Sequence, residues 1–151
     1  MSPQIPTYLF AWNPDKWEWT NLDEQIEDLK AGRKVIEEWS CTSHKRIRVG
    51  DRAFLTLVGS KGRGIVGSGY IASEPFLSKH WGGKEKFIHN VMIEFDALLN
   101  PFREPYLTLE LLKMGPLEKQ HWTPQTSGIS IKPDLVEELE AVWKDFISTA
   151  K

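Results

Sequence analysis

Three tryptophans stand where an indole could do chemistry: Trp39, Trp81 and Trp122. Each falls at the end of an apolar run or in a loop, beside small polar residues, glycine or histidine. A flat aromatic face stacks a nucleobase at roughly 1–3 kcal/mol, and the ring quadrupole also favours a methylated or cationic group. A base held this way needs donors and acceptors for its edge. Asn13, Ser40, Thr42, Gln125 and Ser127 are of the right types in the neighbouring segments. Trp39 is the centre of this pattern. Val35 to Glu38 lead into it, Ser40 to Ser43 follow, and Lys45 and Arg46 come next. Lys45, Arg46, Arg63, Lys79 and Lys84 are the cations placed to hold phosphates, a contact that positions a strand and weakens with salt.

Other chemistries are thinner. Cys41 and His44 could act as nucleophile and base toward a small molecule, but no third group orients the histidine. The four histidines show no His-Glu-x-x-His spacing, and one cysteine excludes a cysteine-rich zinc site or an internal disulfide. Glu37 and Glu38 are adjacent on a strand and so face opposite ways. The sequence calls for no cofactor. The ordinary fate of an aromatic residue is burial for packing. Trp12 and Trp143 are assigned to it, and Trp17 and Trp19 to a loop packed on the body.

Charge narrows the partner. The chain has 151 residues and a formal net charge of −2, which argues against a basic coat. Lys30 to Lys86 nevertheless holds 12 Lys and Arg against 5 Asp and Glu, while the remainder holds 7 against 16. A basic middle in an acidic whole is a one-sided electrostatic footprint. No apolar run approaches the length of a membrane span, and a single cysteine suits a reducing cytoplasm.

The elements that must position these residues are those of one α+β domain over 1–151, with a curled, mostly antiparallel sheet. Strands are expected over 7–12, 34–39, 53–58, 65–71 and 86–95. Asn21 or Thr20 should cap a helix over about 21–31, with Gly32 as its stop. A short helix is expected over 107–113 and a final one from Pro133, with Leu135, Leu139, Val142, Trp143 and Phe146 as its apolar stripe. Residues 75–83 and 120–130 read as loops. Gly67 and Gly69 permit a bulge or a close backbone approach.

The order Tyr8-Leu9-Phe10, Trp19-Thr20-Asn21-Leu22, Trp39, Ile47-Arg48-Val49-Gly50-Asp51, Gly64-Ile65-Val66-Gly67-Ser68-Gly69 and Pro75-Phe76 resembles EVE domains of the PUA-like superfamily. The related YTH domains read methylated adenine in RNA with an aromatic cage. Trp39-Ser40-Cys41-Thr42 is similar to their Trp-Cys-Ser-Thr, and Trp81 stands where they carry a loop tryptophan. Trp122 to Ile129 is similar to a stretch of EVE-like modules in modification-dependent restriction endonucleases, which recognise 5-methylcytosine or 5-hydroxymethylcytosine in DNA. The resemblance implies a PUA-like pseudo-barrel flanked by helices. It also implies a non-catalytic reader of modified DNA that flips its base into an aromatic pocket, with a fused or associated nuclease as a further partner. An RNA reader of methylated adenine is the alternative, and a small-molecule enzyme using Cys41 and His44 the second.

Overall fold

Alternating burial decides which way each strand faces. The computed structural model describes residues 5–41, 45–79, 87–124 and 126–149. In β1 (Thr7–Trp12), Tyr8, Phe10 and Trp12 enter one hydrophobic cluster, while Leu9 enters a second on the other face. The first cluster fills the inside of a curled sheet. The second lies between the outer face of that sheet and the last helix.

Among the described residues there are eight strands: β1, β2 (Val35–Ser40), β3 (Arg52–Leu57), β4 (Gly64–Ile71), β5 (Phe76–Lys79), β6 (Phe87–Leu98), β7 (Leu107–Thr108) and β8 (Ile129–Ser130). Their order is β2-β6-β4-β3-β1-β8, with β5 added to β6 and β7 to β4. Every pairing is antiparallel except β1 with β3. This is the curled, mostly antiparallel α+β sheet expected, though it stays open.

Two of the expected loops contain strands. Phe76 to Lys79 shows no clear alternation, but it pairs with Asn90 to Phe87, the end of β6 that β4 does not reach. An unpaired strand end exposes backbone donors and acceptors, so the long β6 recruits a partner there. Ile129–Ser130 is similarly drawn onto β1.

The first helix, α1 (Leu22–Lys30), ends as expected at Gly32, whose φ of 80° lets Arg33 N donate to Asp28 O at 2.8 Å. Its start differs: Asn21 makes no side-chain capping bond. The short α2 (Leu109–Leu112) is capped by Thr108 instead, and α3 (Pro133–Thr149) carries Leu135, Leu139 and Trp143 into the second cluster.

Curling needs close strand approach at Gly67 and Gly69. The β4–β6 register shifts between Ser68 and Gly69. A Cβ at Gly69 would stand 2.4 Å from Glu94 O, so only glycine fits. On the outer face Arg52 ties the layers together. It is 7% exposed, packs against Phe54 and Tyr70 rings at 5.0 and 4.7 Å, and donates to Asp96 of β6 and Glu140 of α3 at 2.8 and 2.9 Å. Those two carboxylates hold its pKa up against the opposing effect of burial.

Candidate nucleic-acid interface

The open sheet ends on β2 and the two-residue β8, and past β8 side chains rather than a ladder link β1 to β2. Odd-numbered residues of β1 turn their peptide groups away from β3. Thr7 O accepts from Ile131 N and Leu9 O from Gly128 N, both at 2.9 Å. Beyond them the backbone partners stop. Ala11 N donates to Ser127 Oγ at 3.0 Å, and Trp39 Nε1 donates to Ala11 O at 2.9 Å. One residue, Ala11, thus joins Trp39 from β2 and Ser127 from the loop before β8. Asn13, the next odd residue, caps the series: its carbonyl accepts from Lys16 N and Trp17 N at 3.0 and 3.1 Å, and its Oδ1 accepts from Asp15 N.

Trp39 does not lie open at this seam. It is 8% exposed. Its ring lies among Trp19, Trp17 and Phe95 with centroids at 5.3, 5.5 and 6.2 Å. Trp12 extends the group, 5.3 Å from Trp19, and donates its Nε1 to Trp17 O. Trp19 Nε1 donates to Gln25, which donates in turn to Glu37. Of these four indoles only Trp17 is exposed, at 40%. Sequence reasoning left Trp17 as loop packing. The only signal for it was its position three residues after a strand-ending Asn13-Pro14.

The expected convergence of three tryptophans is not what the fold builds. Trp122 is 3% exposed, sits in the second cluster beside α3, and donates its Nε1 to Leu117 O at 2.8 Å. Its ring faces the core across the sheet from Trp39, so this position corrects the expectation of a pocket-lining residue. Trp39, Asn13 and Ser127 are brought together at the seam, with Ser40 next along β2. Trp81, Thr42, Gln125, Lys84 and His44 lie outside the described residues. Cys41 is buried in the first cluster, its backbone N donating to His89 O, which is a poor setting for a nucleophile.

Of the cations, Lys45 and Arg46 are exposed just beyond β2. Burial, with Asp51 beside it, pushes the Tyr8 phenol up, against the downward pull of Arg46 and Arg48. Arg48 spends its guanidinium on Ile47 O and Lys45 O. Arg63 is exposed on the β3–β4 hairpin, bordering a cavity of about 480 Å3 with Tyr106 and Thr108. A second cavity, of about 390 Å3, lies on the outer face between Arg52, Asp96 and Glu140 and does not touch the seam. Lys79 belongs to β5. Among the described residues no group of three His, Cys, Asp or Glu side chains could hold a metal ion.

No family model and no curated protein matches the chain. Solved structures do match. Human THYN1, in complex with DNA containing 5-methylcytosine, superposes with a TM-score of 0.60 at 17% identity, covering 91% of this chain and 96% of that one. The Mmi1 YTH domain superposes at 0.55 and 13% identity, covering 99% and 81%. The chain shares the PUA-like fold of these structures. A hypothetical protein from Leishmania major shares that fold at a TM-score of 0.67 and 16% identity, covering 93% and 96%. In this fold Trp39, Asn13 and Ser127 meet at the β1–β2 seam, and Trp122 lies apart from it.

Proposed function

We propose that this domain is a non-catalytic reader of a modified base, 5-methylcytosine or 5-hydroxymethylcytosine in DNA. The observation that carries the reading is the seam at Ala11. The backbone N–H and C=O of one residue, Ala11, are bonded to Ser127 and Trp39, next to an aromatic group whose outermost member, Trp17, reaches solvent. A base extruded from a duplex costs a few kcal/mol, and stacking with edge hydrogen bonds offsets that. Asn13 and Ser127 supply donors and acceptors beside the aromatic group, and Lys45, Arg46 and Arg63 supply cations for the flanking phosphates. Human THYN1, of the same fold, forms a complex with 5-methylcytosine DNA, which supports DNA as the ligand. The burial of Cys41 favours binding over nucleophilic catalysis.

Fluorescence anisotropy with duplexes carrying one 5-methylcytosine, 5-hydroxymethylcytosine or cytosine tests this directly. A modified duplex should bind more tightly than the plain one, and Trp39→Phe, which keeps an aromatic ring but loses the Ala11 bond, should narrow the difference. Equal binding to all three duplexes would sink the proposal. Tighter binding to single-stranded RNA carrying methylated adenine would move it to the RNA reading.

A further inference from the structure

The seam does not use the one exposed indole of its aromatic group. Trp17 is 40% exposed, whereas Trp12, Trp19 and Trp39 are at most 8% exposed. Its ring stands edge-on to Trp39 at 88°. Its backbone is fixed at both ends: its N donates to Asn13 O, and its carbonyl accepts Trp12 Nε1 at 2.9 Å. An exposed indole held this firmly is a prepared surface rather than a loose one.

The turn that carries Trp17 is clasped to a basic hairpin. The Asp15 carboxylate accepts from Ser60 N at 2.8 Å and from Ser60 Oγ at 2.7 and 2.8 Å. Those bonds, the hydroxyl's first, hold its pKa below the usual carboxylate range. The Asn13 side chain packs so tightly on Gly59 that a Cβ there would stand 2.2 Å from Asn13 Oδ1. Lys61 and Arg63 follow Ser60 directly, and both are exposed. The turn carrying the aromatic face is therefore joined to the hairpin carrying the cations, with Lys16 adding to them and Asp15, Glu18 and Glu110, which lines the cavity beside Arg63, as the nearby carboxylates. The exposed ring on the other flank, Phe102 at 57%, lacks this setting, since Arg103 beside it is paired with Asp23.

We propose that the Trp17 turn and the 59–64 hairpin form a second nucleotide subsite, in which Trp17 stacks an unpaired base and Lys61 with Arg63 holds its phosphate. The planar face selects a base of any identity, and the cations select its backbone. The subsite rests on the nucleic-acid reading above and adds to it a nucleotide beside the modified one. It requires that neighbour to be unstacked.

The test measures binding of a 5-methylcytosine duplex, with and without a mismatch or abasic site next to the modified base, to the wild type, Trp17→Ala, Trp17→Phe and Lys61→Ala/Arg63→Ala. Trp17→Ala should bind about tenfold more weakly, with Trp17→Phe recovering part of the loss. A neighbouring mismatch, which frees a base, should tighten wild-type binding and leave Trp17→Ala unmoved. An abasic neighbour should bring wild type and Trp17→Ala together. The double variant should flatten the salt dependence by one to two phosphate contacts. Unchanged or tighter binding by Trp17→Ala overturns the subsite while leaving the reader intact. Absence of any preference by the wild type for the modified duplex removes the reader instead, and an unaltered Trp17 effect on plain single strands would then still support the subsite. Wild-type failure to bind every nucleic acid overturns both.

Discussion

Trp39 and Trp122 look alike as residues: each follows a short run and precedes small polar groups. The fold separates them. Trp39 points into the curl and bonds the edge of β1, whereas Trp122 points out toward α3 and bonds Leu117 O. Trp122→Phe should therefore lower stability by about 1–2 kcal/mol, through one lost hydrogen bond and a smaller ring, and leave nucleic-acid affinity unchanged. Urea unfolding and anisotropy on the same variant check both halves. Residue type made Trp39, Asn13 and Ser127 legible as partners, because a base needs a face and an edge. It could not separate the tryptophans, since the side of the sheet on which a loop residue lands depends on pairings far away in sequence. Trp17 was missed for the same reason. Its exposure is set by Asn13, Trp12 and Ser60, and no periodicity records them.

Elements were more legible than residues. β1, β2, β3, β4, β6, α1 and α3 fall within a few residues of the patterns that announce them, because each buries a face with its own period. Three strands were not foreseen: β5 and β8 exist because a neighbour has an unpaired edge, and β7 takes the first two residues of the expected 107–113 helix to pair with β4. The glycines of β4 were legible as sites of close approach, and the structure gives them a purpose in bending β4 across β6. Gly69→Ala should cost about 1–3 kcal/mol through overpacking against Glu94 O, more than the few tenths expected of an ordinary exposed site. Thermal unfolding measures this. A melting temperature equal to that of wild type would mean that the curl does not depend on the contact.

At the scale of the whole molecule, charge and curl act together. The basic middle of the chain is not one patch once folded. Arg52 is buried between Asp96 and Glu140 and Arg48 serves its own turn, while Lys45, Arg46, Lys61 and Arg63 stay exposed. Among the described residues the one-sided footprint inferred from sequence is thus split between the end of β2 and the hairpin. That split matches a ligand that crosses the seam rather than one that coats the surface.

The bond from Trp39 to Ala11 has another consequence. An open sheet leaves two strand edges bare, and bare edges recruit strands from other copies. Here the bareness is covered by two side chains, an indole N–H and a serine hydroxyl, at one residue, Ala11. Such a cover protects the monomer but is shallow. Combining Trp39→Phe with Ser127→Ala would uncover the Ala11 N–H and C=O without removing much apolar volume. The double variant should stay folded and yet self-associate with rising concentration, as a growing sedimentation coefficient would report. The same two side chains that make the seam a candidate for recognising a base also keep one copy of the domain from being completed by the next.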